Sequence, residues 1–251
     1  MVLDLSRSLS FIIGSSIGWA CRTLCGRRLI QGIVFTFSAN RFLKSYEIVV
    51  SGPLLSIPPG DFLAFVFDCD GTLADTMSLH YSAWCETLCA HGLELPEKSY
   101  HDMAGASARE IVVILNERYG CQMPLEETAY QKEIIFHRML PRMTPIEPVV
   151  RLARKFHGRI PLGVASGGSR MSVESTLKAL GIFDLFTTVV TNEDYARGKP
   201  APDAFLEAAK RLGVLPKRCL AFEDTSIGVQ SAESAGMTCV RVPASLRVPN
   251  S

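Results

Sequence analysis

The sequence predicts an α/β fold built on a doubly wound parallel sheet, and three observations lead there. Five short apolar runs of strand length, Phe62 to Phe67, Ile160 to Ala165, Thr187 to Thr191, Cys219 to Phe222 and Thr238 to Val242, succeed one another along the chain. Segments with helical spacing of apolar residues separate the later ones, which calls for crossovers, parallel strands and helices on both faces. Polar residues collect directly behind four of the five runs, where an open parallel sheet has its ligand crevice.

Residues 1–60 stand apart from that pattern. Phe11 to Cys21 and Leu29 to Phe37 are apolar but interrupted by Arg22, Arg27 and Arg28, and neither reaches the roughly 18 to 20 residues of a membrane-spanning helix. No stable membrane span is expected. The Ser-rich, acid-poor balance resembles an organellar transit peptide, the run after Arg7 resembles a secretory signal, and an upstream extension without structure of its own is the third reading. The expected location is cytoplasmic, or a plastid or mitochondrion if the segment is a transit peptide. Pro53, Pro58, Pro59 and Gly60 read as a linker into a body that begins at Asp61.

In that body, the first strand ends at Phe67 and the second at Ala165. Arg170 to Leu180, Pro202 to Leu212 and Ile227 to Ala235 are the helices between the later strands. Ala108 to Tyr119 and Leu125 to Leu140 carry helical patterns before the second strand.

Composition limits the function classes. A chain of 251 residues, 47% hydrophobic and 20% charged, is neither disordered nor fibrous and can bury one sizeable core with an inserted subdomain. Six Lys/Arg face two Asp/Glu up to Gly60, net +4, and 20 face 23 from Asp61 on, net −3. The body therefore lacks the basic footprint of a nucleic-acid binder. Eight cysteines form no CxxC pair and no zinc spacing with histidine, so they read as reduced, intracellular thiols.

Asp68 and Asp70 leave the end of the first strand two residues apart, on the same side of the chain. Adjacent carboxylates need a cation, a proton or a reacting group to compensate them, and Mg²⁺, with its taste for hard oxygen and substrate phosphate, is the expected cation. Ser166-Gly167-Gly168 follows the second strand, as a helix cap or as a donor set for an oxyanion. Lys199, held by Pro200, can neutralise phosphate oxygens, and Glu223-Asp224 completes a cation site.

The order Asp68-Cys69-Asp70-Gly71-Thr72-Leu73, Ser166, Lys199-Pro200-Ala201-Pro202-Asp203, Glu223-Asp224 resembles the haloacid dehalogenase-like hydrolase superfamily over about 180 residues. Asp75, His80, Trp84, the Gly105-Ala106-Ser107 turn and the run Glu223 to Ala232 resemble its β-phosphoglucomutase and sugar-phosphate phosphatase branch. The resemblance implies a Rossmann-like core over 61–76 and 144–251, with a helical cap over 77–143. It implies that Asp68 attacks phosphorus and forms an aspartyl-phosphate, and that Asp70 protonates the leaving alcohol and later deprotonates water, with a pKa poised between the two. Ser166, Gly167 and Lys199 would hold the phosphoryl group. Asp68, the Asp70 carbonyl, Asp224 and Glu223, directly or through water, would bind Mg²⁺. His80 would be a gate or proton relay, or else a satisfied polar group on the first cap helix; Gly105, Ser107 and Arg109 would face the distal part of the substrate.

The chain departs from the mutase pattern at two cap positions. Ala104 and Ala108 stand where that pattern has a lysine and an arginine, with Arg109 one position late. Loss of two bases that hold a second phosphate favours a phosphatase, with a small sugar monophosphate as the expected substrate and a phosphosugar mutase as the alternative; the resemblance implies a monomer, since these folds are often monomeric. A dehalogenase has no use for Asp70, and a non-catalytic interaction domain would have lost at least one of these motifs.

Overall fold

The computed structural model describes residues 55–103 and 106–247, together with three strands before them. Ala104 and Gly105 of the expected cap turn lie outside the described residues. Strands β1 (Arg27–Ile30) and β2 (Ile33–Thr36) pair antiparallel, as do β3 (Tyr46–Ile48) and β4 (Leu55–Ile57). Leu55 and Ile57 are 2% and 4% exposed and belong to the main hydrophobic cluster, so buried structure begins inside the segment read as a linker.

The body follows with β5 (Ala64–Phe67), β6 (Ala74–Asp75), α1 (Met77–Cys89), α2 (Glu97–His101), α3 (Ala108–Tyr119), α4 (Leu125–Met139), β7 (Thr144–Pro145) and α5 (Glu147–Phe156). After these come β8 (Leu162–Ala165), α6 (Arg170–Ala179), β9 (Thr188–Val190), α7 (Asp203–Leu212), β10 (Cys219–Glu223), α8 (Ser226–Ser234) and β11 (Thr238–Arg241). Five strands form one parallel sheet in the order β11-β10-β5-β8-β9. The chain fills the β8 side first and then returns to the other side of β5. The crevice therefore opens at the carboxyl ends of β5 and β10.

Strand alternation sorts the two faces by size. Phe65, Phe67, Leu162, Val164, Leu220 and Phe222 project into one cluster with α5 and α6, where Phe67 stacks on Phe222 at 4.7 Å. Ala64, Val66, Ala165, Cys219 and Ala221 face the other way and let the alanines of α7 and α8 approach closely. Both faces are covered, so these strands are continuous apolar runs rather than alternating ones. Helix α5 is the core element the sequence reading passes over: Pro148 sits in its first turn, where proline is tolerated but resembles loop punctuation.

Helices α1 to α4 form the cap, with their own cluster around Trp84, Leu88, Val112 and Leu115. The chain enters the cap through β6 and leaves it through β7. Those two segments pair with each other, Ala74 opposite Pro145 and Asp75 opposite Thr144, and tie the two crossings together at the core. Among the described residues no helix is long and apolar enough to cross a membrane, and the six described cysteines are free thiols.

Candidate active site

Parallel pairing of β5 with β10 brings Asp68, one residue beyond Phe67, beside Glu223 at the end of β10, and the Asp68 amide donates to the Phe222 carbonyl at 2.9 Å. Between the two carboxylates lies Lys199. Its Nζ donates to Asp68 Oδ1 at 2.7 Å and to Glu223 Oε1 at 2.8 Å, and its side chain is 3% exposed. Lys199 is therefore a buried bridge, not a solvated loop charge. Burial alone would lower its pKa; Asp68 and Glu223 outweigh that and keep the ammonium charged. Burial, and then the carboxylates of Glu223, Asp224 and Asp70, push Asp68 well up against the pull of Lys199.

Two glycines make the close approach possible. Gly71 turns the chain after Asp70 with φ +80°, and a Cβ there would strike the Asp224 carboxylate. A Cβ on Gly228 of α8 would overlap the Glu223 carboxylate. Glu223 Oε2 also accepts from the amide and hydroxyl of Thr225, at 2.6 and 3.0 Å, so both its oxygens are engaged. Glu223 thus positions Lys199 in addition to facing the cation site.

Asp68, Glu223 and Asp224 each present a carboxylate oxygen within 4.8 Å of the other two. Burial, and then Glu223, push the Asp224 carboxyl up to about 6 even though Arg247 donates to it at 2.5 Å. A cluster of hard oxygen donors with this excess of negative charge fits Mg²⁺. The Asp70 side chain is not part of this cluster, and its Oδ1 faces Thr76 and His80 instead.

Asp70 Oδ1 accepts from Thr76 Oγ1 at 2.6 Å and lies 3.1 Å from His80 Nε2. His80 Nδ1 in turn lies 2.8 Å from the ammonium of Lys132, which also pairs with Glu133 at 3.0 Å. Lysine can only donate, so Nδ1 accepts, and the imidazole proton sits on Nε2 pointing at Asp70. Burial, and then Lys132, lower the His80 pKa and keep the ring neutral. Burial works to raise Asp70, but His80, Thr76 and Lys132 hold it at about 2, lower than a carboxyl poised between acid and base. The ring of His80 stacks on Phe136 at 3.8 Å, which fixes its plane. His80 is thus both a satisfied polar group and a link from the cap to Asp70.

Ser166 follows β8, is buried, and accepts from the Gly168 amide at 3.0 Å. Capping of α6 belongs to Ser169, which accepts from Ser172 and donates to Glu133 of the cap at 3.0 Å. Ser166 and Gly167 line a cavity of about 710 Å³ together with Asp68, Asp70, Lys199 and Asp224. Ser107 and Arg109 line it from the cap side, but both have partners: Ser107 caps α3, and Arg109 pairs with Glu126 at 2.6 Å. Cys69 is fully buried, a packed thiol whose pKa burial pushes well up.

Lys132, Glu133 and Thr76 are site residues the sequence reading missed. Charged residues within Leu125 to Leu140 resemble a solvated face, yet Thr128, Lys132 and Phe136 recur every four residues and are all buried. That spacing was the available signal.

A haloacid dehalogenase-like hydrolase family profile matches residues 62–236. The fructose-1-phosphate phosphatase YqaB of Escherichia coli is 34% identical over 182 residues, 72% of this chain and 96% of that protein. CbbY from Rhodobacter sphaeroides, solved in complex with phosphate, superposes with a TM-score of 0.68 at 25% identity, over 76% of this chain and 90% of that one. A β-phosphoglucomutase from Clostridium difficile does so with a TM-score of 0.64 at 27% identity, over 71% and 83%. With motif order, sheet and cap all in agreement, the chain belongs to the haloacid dehalogenase-like hydrolase family and is an enzyme of its phosphatase branch.

Proposed function

We propose that the chain hydrolyses a small sugar monophosphate in a Mg²⁺-dependent reaction that passes through a phosphoryl group carried by Asp68. One observation carries the reading: two carboxylates two residues apart have opposite partners, Asp68 the ammonium of Lys199 and Asp70 the donors of Thr76 and His80. Such a division equips one for attack and the other for proton transfer.

Asp68 attacks phosphorus, the bond from phosphorus to the sugar oxygen breaks, and Asp70 hands that oxygen a proton. Water then attacks the Asp68-bound phosphorus while Asp70 takes the water proton, and inorganic phosphate leaves with Asp68 regenerated. Asp70 acquires its first proton as the phosphate arrives, because a nearby dianion raises a carboxyl held at about 2. Ser166, Gly167 and Lys199 hold the transferring group. Asp68, Asp224 and the Asp70 carbonyl, with Glu223 directly or through water, would hold Mg²⁺, which when bound supplies charge compensation for the phosphoryl oxygens. Hydrolysis is favoured over phosphosugar mutase activity by Ala104 and Ala108, which leave the cap without two bases for a second phosphate.

Phosphate release from a panel of sugar monophosphates, with MgCl₂ and with EDTA, tests the reading. Release is expected only with the metal, and Asp68→Asn should lower kcat by several orders of magnitude with the fold intact. An isomerised product that keeps its phosphate would refute hydrolysis, and a turning-over Asp68→Asn enzyme would refute the nucleophile.

A further inference from the structure

We propose that the cavity selects phosphate esters whose leaving alcohol is uncharged, and that Glu126 enforces this by holding Arg109 in an ion pair. The inference rests on the phosphatase reading and deepens it to a substrate class.

Among the described residues, eight carboxylates line the cavity against three lysine and arginine side chains. Each cation already has a carboxylate partner. Lys199 is bridged between Asp68 and Glu223 at the phosphoryl seat. Lys132 is shared by His80 and Glu133. Arg109, on the cap side of the cavity, donates to Glu126 at 2.6 Å, the two side chains being 61% and 70% exposed.

The other feature on that side able to attract an anion is the N-terminus of α3, and it too is closed. The Ser107 amide donates to Glu110 Oε2 at 2.7 Å and the Glu110 amide to Ser107 Oγ at 3.3 Å. The Glu110 carboxylate also reaches the loop that carries Lys199, 3.4 Å from where a Cβ on Gly198 would stand. A sugar with free hydroxyls can donate to Glu110 and Glu126. A second phosphate or a carboxylate would instead meet like charge with no unpaired cation to receive it.

The test compares kcat/KM of the full chain, in MgCl₂, for fructose 1-phosphate and fructose 1,6-bisphosphate. The monophosphate should be preferred by about tenfold or more, and the preference should shrink as salt screens the repulsion. Glu126→Gln frees Arg109 and should narrow the ratio about two- to fivefold, mainly through KM for the bisphosphate. The double variant Glu126→Gln, Arg109→Ala, which removes the freed guanidinium, should restore the discrimination. Equal kcat/KM for the two sugars in the wild type, or an unchanged ratio in Glu126→Gln, would overturn the proposal while leaving the phosphatase reading in place. No phosphate from either sugar or from any member of the monophosphate panel would fell that reading and this one with it.

Discussion

Replacing Lys199 by methionine keeps the length of the side chain and removes its charge from between two buried carboxylates. Lys199, Asp68 and Glu223 have side chains 3%, 7% and 2% exposed, and the ammonium lies 2.7 and 2.8 Å from its two acceptors. At an effective dielectric of about 20, each contact corresponds to about 6 kcal/mol of Coulomb attraction, much of it offset by the cost of dehydrating the ammonium. Removing one partner of such a network destabilises by about 3–5 kcal/mol, because the charges left behind stay buried. For a body of this size that is a fall in Tm of roughly 6–20 °C. Thermal unfolding of Lys199→Met in EDTA should show the fall. Millimolar MgCl₂ should raise the variant's Tm more than the wild type's, because a more negative site binds a dication more tightly and ligation stabilises the folded state. Asp68, already pushed up in the wild type, rises further without the ammonium, so the deficit should be larger at pH 8 than near pH 5.5. A variant within about 2 °C of wild type in EDTA would refute the argument that Lys199 offsets these two charges.

Lys132→Met removes the donor that fixes the proton of His80 on Nε2, so kcat should fall about 10- to 100-fold with a smaller change in KM. Nitrogen chemical shifts of the imidazole should report the lost tautomer preference, and an unchanged shift would contradict the relay. Asp194 accepts from Arg170, Arg211 and Thr191, and although burial opposes it, these partners hold its carboxyl at about 2 against an ordinary 3.8. Its depressed value is worth about 2.5 kcal/mol above the unfolded pKa, falls to about half near pH 3 and vanishes below about 2. Urea unfolding of wild type and Asp194→Asn should show that gap at pH 7 and its narrowing at low pH; a gap independent of pH would exclude the linkage. A chain starting at residue 54 should be more stable than one starting at 61 by about 3–6 kcal/mol, the burial of Leu55 and Ile57, and equal Tm values would show that β4 adds nothing.

What was legible in the sequence followed short-range rules. The central strands β5, β8 and β10 are apolar runs because both of their faces are covered, and the acids behind β5 and β10 stand out because little else explains a carboxylate at a buried strand end. Boundaries moved by one or two residues; Phe62, read as the start of the first strand, lies before the ladder that opens at Ala64. Partnerships across the fold were not legible. Arg109 looked like a group for the substrate, yet its guanidinium faces Glu126 on the next cap helix, a pairing set by how α3 and α4 pack. Lys132 was not singled out in the sequence, and only the packing of α4 against α1 places it behind His80.

The same distinction explains how the two halves of the site divide the chemistry. Core residues Asp68, Lys199 and Glu223 are placed by strand pairing and by glycines that leave no room for adjustment, so their geometry is common to any substrate the cap admits. Asp70 belongs to the core by sequence, but three of the groups that set its proton affinity, Thr76, His80 and Lys132, lie where the chain enters the cap or on the cap itself. Cap position therefore controls more than access. With His80 and Thr76 in contact, the Asp70 carboxyl is held low against its own burial. Glu133, which joins Lys132 to Ser169, is one of the side chains that tie the cap to the core, beside His80 at Asp70 and His137 at the Met171 carbonyl. Asp70 is in this way tied through the cap to Ser169 by one short chain of side chains, so truncating His80 or Lys132 should cost rate at Asp70 while leaving the Asp68–Lys199–Glu223 contacts in place.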